Sequence, residues 1–255
     1  MKFLSIAAIC VGLGCGQAVA QSTPAFRWLV VQPFTNELTS SAAATALDGK
    51  RPYVHYKTKL IPPAWQAVPF ATFASEATLE EKAPNLPPTV KAVMYDNESW
   101  RFTPPDEQAD PAAYEQRAIA FAHAHGLKIL LTPAFDLGPA AYAAAVAGAK
   151  GADTFNIQEQ KDEFDLGRFT STIAGEMQTL RAATPNIEIL VGVSTNGRRH
   201  GIAEAPTIEA AIRALPPGVN GVWLNVPTSS RAACQTCVAM YRPDIGEQVI
   251  VDLAR

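Results

Sequence analysis

From residue 90 onward the chain alternates short apolar runs with longer stretches whose apolar residues recur every three or four positions. That rhythm predicts strand–helix units packed around a parallel sheet. A strand over Lys91 to Asp96 is followed by Asp110-Pro111, an N-cap with a first-turn proline, opening a helix that ends at Gly126. Lys128 to Leu131 reads as the next strand, and the alanine-rich run Pro139 to Lys150 as a helix stopped by Gly151. Thr154 to Gln158 is a third strand. Asp165 then caps a helix that carries Phe169, Ile173, Met177 and Leu180 on one face and ends before Pro185. Ile187 to Val193 and Gly221 to Val226 are further strands, separated by a helix over Thr207 to Leu215. A helix capped by Ser230 and running through Tyr241, then a strand from Gln248 to Leu253, complete the expectation.

The N-terminal section is less regular. Arg27 to Val31 is a strong strand, whereas Thr35 to Pro88 is dotted with prolines and keeps no helical period. Within it Tyr53-Val54-His55-Tyr56 suits a strand or hairpin arm, and Thr78 to Lys82 a single helical turn. The stretch reads as a long functional or capping insertion, since structureless connections of that length are uncommon in compact domains. Seven or eight strands then fit an α/β fold of the (β/α)8 TIM-barrel type, trimmed or irregular in its N-terminal part. A doubly wound open sheet is the alternative, but no GxGxxG follows any strand.

The beginning of the chain changes the picture. Met1-Lys2, the apolar stretch Phe3 to Leu13 and Ala18-Val19-Ala20 before Gln21 have the form of a secretory signal peptide over residues 1–20. Residues 21–255 are then expected to form a single exported barrel domain, secreted or periplasmic, with the irregular segment at about 35–88. Cys15 offers a lipoprotein processing site as the lesser option, a glycine standing three positions before it where that motif wants an apolar residue. No later run reaches the roughly 18 apolar residues of a membrane span. The formal charge of -3, with scattered basic residues, gives no footprint for nucleic acid or an anionic membrane. Cys234 and Cys237 suit a local disulfide in an oxidising compartment, and neither they nor the four histidines make a strong zinc pattern. No cofactor or metal is expected, and the oligomeric state is left open.

Side-chain direction then selects the candidate chemistry. Alternate residues of a strand face opposite sides, and in a barrel the inward set at the C-terminal strand ends forms the mouth. The strand Thr154 to Gln158 sends Asn156 and Gln158 inward, leaving Glu159 on the other side as a surface or loop carboxylate. Gly221 to Val226 sends Trp223 and Asn225 inward. The other strands contribute Gln32, Asp136, Ser194 and Asn196. Val90 to Trp100 ends an apolar run in Asp96 and Glu98, two carboxylates on one side, flanked by Tyr95 and Trp100. Amides, hydroxyls, carboxylates and an aromatic plate around one mouth suit a sugar, with its many neutral hydroxyls and an apolar C–H face. Any one amide at a strand end is commonly structural, but five inward polar strand ends would cost roughly 1 to 3 kcal/mol each if left unmatched.

Glycoside hydrolysis requires a carboxylic acid to protonate the leaving oxygen and a second group at the anomeric centre. Repulsion between two carboxylates on one strand face holds a proton on one of them. Glu98, nearer the mouth, is the candidate acid, and Asp96 its tuner or an electrostatic stabiliser. Asp96-Asn97-Glu98 resembles the aspartate-x-glutamate strand ending of the chitinase-like glycoside hydrolase family 18, and Trp223 stands on a late strand where that family often has a floor tryptophan. The resemblance covers those residues only; Val90 to Met94 stand where the family has further aspartates and a glycine. It implies a glycoside-hydrolase-like barrel with Glu98 as its acid. Three functions follow: a glycosidase acting on a poly- or oligosaccharide, a saccharide-binding or accessory protein on a degenerate barrel, and, more remotely, a redox or structural protein centred on Cys234 and Cys237. The Arg198-Arg199-His200 cluster suits a solvated loop or an acidic sugar.

Overall fold

A computed structural model describes residues 26–134, 138–197, 200–227 and 241–254. Eight parallel strands close into a barrel in the order β1 to β8. They are β1 Arg27–Val30, β2 Tyr53–His55, β3 Val68–Phe73, β4 Ala92–Tyr95, β5 Lys128–Leu131, β6 Thr154–Gln158, β7 Glu188–Ser194 and β8 Gly221–Asn225. The ring closes where β8 pairs with β1, Trp223 lying opposite Leu29. The helices are α1 Phe34–Ser40, α2 Glu76–Lys82, α3 Pro105–Ala109, α4 Pro111–Ala124, α5 Pro139–Gly148, α6 Leu166–Ala183, α7 Ala205–Arg213 and α8 Pro243–Ala254. This is the (β/α)8 TIM-barrel fold.

Strand alternation builds two cores. Val30, Val54, Val93, Tyr95, Leu131, Phe155, Ile157, Val191 and Leu224 face outward and pack beneath the helices. Leu29, Tyr53, Phe70, Ala92, Met94, Leu130, Leu190 and Trp223 face inward and fill the lumen. The helices meet the outer core along single faces: α6 buries Phe169, Ile173, Met177 and Leu180, and its Asp165 cap accepts the Arg168 N–H at 3.1 Å. Asp110 caps α4 in the same way, accepting from Ala113 N–H at 3.2 Å.

At the N-terminal end the lumen is shut by a polar knot. Arg27 Nη1 donates to Tyr53 Oη at 2.9 Å and to Glu188 at 3.2 Å, while Tyr53 Oη and Thr154 Oγ1 donate to Glu188 Oε2 at 2.7 and 2.9 Å.

Two expectations are corrected. Segment 35–88 is not an irregular insertion: it holds β2, β3, α1, α2 and three short 3-10 turns, and it supplies a quarter of the barrel wall. β3 carries Pro69, a residue that strands seldom hold away from an edge. Its carbonyl accepts from Lys91 N–H at 2.9 Å, and the N–H it lacks would face that same side, ahead of the first residue of β4. The other error is Gln248 to Leu253, which lies in α8 rather than in a strand. Ile245, Val249 and Ile250 are buried at helical spacing, a period that the β-branched run Val249-Ile250-Val251 obscures. The expected helix from Ser230 to Tyr241 lies almost wholly outside the described residues.

Candidate functional site: the barrel mouth

The C-terminal strand ends enclose a pocket of about 260 Å³. Met94 and Trp223, from the lumenal core, meet Val31 and Gln32 just beyond β1. His55 from β2, Thr72 from β3 and Asp96 just beyond β4 supply the rest of the wall. On β4 the alternation holds, since Met94 and Asp96 share one face and Tyr95 between them lies in the outer core, whereas beyond β1 Val31 and Gln32 both reach the pocket although Val30, of Gln32's parity, faces outward.

Asp96 is 9% exposed, and its N–H extends the ladder to Phe73 O at 2.9 Å. Glu98 is half-buried on the connection to α3, beyond the residues that line the pocket. Thr103 organises that connection. Its hydroxyl donates to Ala74 O at 2.8 Å and accepts from Glu98 N–H at 3.2 Å and from the Trp100 indole N–H at 2.8 Å. Trp100 meets Phe102 edge-on at 5.1 Å, so the rim here is aromatic.

His55 faces the pocket with its ring edge-on to Phe70 at 5.8 Å. Its Nδ1 accepts the Lys57 backbone N–H at 3.4 Å, a bond that assigns the ring proton to Nε2. Burial, and next the Lys57 ammonium, hold this imidazole below its ordinary pKa. A neutral ring carrying an Nε2–H donor therefore stands in the same pocket as Asp96.

The other sequence candidates separate. Tyr95 is turned away from the pocket: it is fully buried, and its hydroxyl donates to Glu107 Oε2 at 2.6 Å. Burial and that carboxylate raise its pKa. Asn156 is fully buried inside the barrel, and Gln158 Nε2 donates to Thr132 O at 3.0 Å. Asn225, half-buried at the end of β8, accepts from Thr195 N–H through its carbonyl, and Asn196 donates its backbone N–H to Ser194 Oγ at 3.0 Å. Asp136, Arg198, Arg199, Cys15, Cys234 and Cys237 lie outside the described residues. His200 stacks on Phe164 at 4.6 Å.

Glu159 is a correction. It does point away from the lumen, yet it is only 2% exposed and pairs with Lys161 at 3.1 Å. Burial pushes its pKa up to about 7 against the pull of Lys161. Glu163 is buried on the same β6–α6 connection, accepts from Ser194 N–H at 3.0 Å, and is raised by burial to about 8. Glu176, bonded by the Tyr142 hydroxyl at 2.9 Å, is raised by burial to about 7. These three acids keep protons near neutrality.

Sequence reasoning missed His55 and Thr72, because both sit on strands inside the proline-dotted segment. The signal was present: His55 shares the parity of Tyr53, which fills the lumen. Among the described residues no three of His, Cys, Asp and Glu come together as a metal site, and no helix is long and apolar enough to cross a membrane.

No protein-family model and no curated protein matches the chain. Among solved structures it is similar to an active-site mutant of Rhizomucor miehei beta-1,3-glucanosyltransferase in complex with laminaritriose. The two share 9% identity and a TM-score of 0.48 over 84% of this chain and 91% of the other. A likeness that remote bears on neither chemistry nor ligand.

Proposed function

We propose that this protein is an exported saccharide-binding barrel whose mouth pocket seats one sugar residue. The observation that carries the reading is the pocket itself: about 260 Å³, with Asp96, His55, Gln32 and Thr72 set against the Trp223 indole. That volume lies just under the roughly 300 Å³ at which sites for drug-sized ligands begin. A carboxylate, an imidazole N–H, an amide and a hydroxyl match sugar hydroxyls, and the indole matches a C–H face. Calorimetric titration with a panel of mono- and oligosaccharides tests it. At least one sugar binds, and Asp96→Ala weakens that binding tenfold or more; no binding to any of them by the intact protein ends the reading.

A second reading, glycoside hydrolysis, is favoured by Glu98, which follows Asp96 by two residues on the rim. Glu98 is the proposed acid, with Asp136 the second carboxylate and Asp96 holding the substrate. On this reading Asn156, Gln158, Asn196 and Asn225, with Trp100, are the remaining sugar-binding candidates. Sugar release from a polysaccharide panel, lost in Glu98→Gln while binding persists, supports hydrolysis. Retention of a saccharide without any release leaves the binding function alone.

A further inference from the structure

The end of the barrel opposite the mouth holds a cleft of about 650 Å³. It lies at the N-terminal strand ends, where Arg27, Lys128 and Glu188 begin β1, β5 and β7, and Asp153 and Asn220 stand one residue ahead of β6 and β8. Arg181, in the last turn of α6, reaches it from the helix layer. That volume falls within the roughly 300 to 1,000 Å³ of small-molecule sites.

The acids of this cleft are already engaged. Arg27 Nη1 lies 3.2 Å from Glu188 Oε1, and Glu188 Oε2 takes the Tyr53 and Thr154 hydroxyls. Asp153 Oδ2 accepts from Ile129 N–H at 3.0 Å and bonds the His123 ring at 2.9 Å. Two of the cations are placed differently. Among the described residues the Arg181 guanidinium donates to carbonyls alone, Pro185 O at 3.2 Å and Gly218 O at 2.7 Å, which fix its position and leave its charge uncompensated. The Lys128 side chain is exposed, and its ammonium has no hydrogen bond or ion pair with any described residue.

The remaining groups have the same sense. Asn220 Oδ1 is taken by Ile189 N–H at 2.9 Å, so this amide offers the cleft its N–H donors. With Arg27 set against Glu188, and Asp153 against one of the other two cations, the wall keeps one positive charge in excess. Free donors and an uncompensated cation call for a ligand made of acceptors and negatively charged, which is the chemistry of a carboxylate or a phosphate. Arg181 and Asn220 are held by backbone groups before any ligand arrives, so little side-chain ordering is left to pay. The cleft is far larger than a bare ion.

We propose that the cleft at the barrel floor is a second binding site, which takes a small organic oxyanion, a carboxylate or a phosphate ester, through Lys128, Arg181 and Asn220. Calorimetric titration of the full chain with citrate and with phenyl phosphate, beside inorganic phosphate, tests it. At least one of the two organic anions binds, more tightly than inorganic phosphate, and raises the melting temperature as mass action requires. Which of them does so separates the carboxylate from the phosphate ester. Lys128→Met weakens that binding tenfold or more and Lys128→Glu removes it, both variants keeping the parent's fold because this ammonium bonds nothing in it. Lys91→Met is the control: it removes a cation from the neighbouring strand, outside the cleft, whose ammonium donates to Pro88 O at 2.9 Å, and it leaves the affinity unchanged. Equal losses in Lys91→Met and Lys128→Met mean diffuse attraction to a basic surface and overturn the proposal. Unchanged affinity in Lys128→Met overturns it too, as does a failure of both organic anions to bind more tightly than inorganic phosphate. The saccharide reading stands or falls separately, since it concerns the opposite end of the barrel.

Discussion

The two ends of the barrel lumen treat polar side chains in opposite ways. At the N-terminal end Arg27, Tyr53, Thr154 and Glu188 bond to one another and close the lumen. At the C-terminal end Thr132, Asn156, Gln160 and Trp223 are more deeply buried than Arg27 and Glu188, and Thr132 Oγ1, both polar atoms of the Asn156 side chain, Gln160 Oε1 and Trp223 Nε1 have no hydrogen-bond partner among the described residues. The contrast separates polarity that serves the fold from polarity held for something else. A knot whose donors and acceptors match repays its own desolvation, whereas an unmatched set is a standing cost.

The comparison is broken most severely by raising pH. Glu163, Glu159 and Glu176 have ordinary values of 4.5 and folded values of about 8, 7 and 7. The folded state therefore holds more protons than the unfolded one. Their stabilising contribution is complete below about pH 4.5 and is lost as pH rises toward 8. Stability measured by urea unfolding should fall by several kcal/mol across that window. Glu163→Gln should flatten much of the slope, and hydrogen exchange should quicken first in the β6–α6 connection. A stability that rises from pH 5 to 8 would refute the assignment.

Glu188→Ala should cost about 3 kcal/mol, since it strips the acceptor from Arg27, Tyr53 and Thr154 together. Denaturant melts should record that loss with ligand affinity unaltered, because the knot lies at the far end from the pocket. Asp96→Ala should do the reverse: affinity down tenfold or more, and a melting temperature within a few degrees of the parent. If Asp96→Ala instead unfolds the protein, the mouth is as structural as the floor and the contrast fails. The smallest effect is expected for Thr103→Val, which frees the Trp100 indole and Glu98 N–H from their shared hydroxyl. About 1 kcal/mol of stability goes, with faster proteolysis confined to residues 97–104.

Much of this contrast was legible in the chain, because alternation is a strong signal where strands are buried on both sides. Thr154 to Gln158 and Lys128 to Leu131 appear with the bounds that their pattern predicts, and the same rule sent Met94, Asn156 and Trp223 inward. Applied strictly, it would also have sent Tyr95 outward; the flanking aromatics of the acidic pair were grouped by neighbourhood instead. β2 was legible only as a strand or hairpin arm over Tyr53 to Tyr56, and β3, which contains a proline, stayed hidden, so neither His55 nor Thr72 was singled out for the site. α8 was misread because Val249, Ile250 and Val251 favour strands intrinsically, while packing against the closed barrel decides for helix. Glu159 shows the limit of parity alone: pointing away from the lumen did not mean pointing into water, since the helix layer lies there.

Gly192 gives the mouth an adjustable dimension. At this level β7 brings only a hydrogen, and Gln160 and Trp223 lean into the space. A methyl group at this position would act as a shim, displacing an indole edge and an amide by a few tenths of an ångström without removing one donor or acceptor. The depth of the recess is thus tunable from a strand that contributes no chemistry to it.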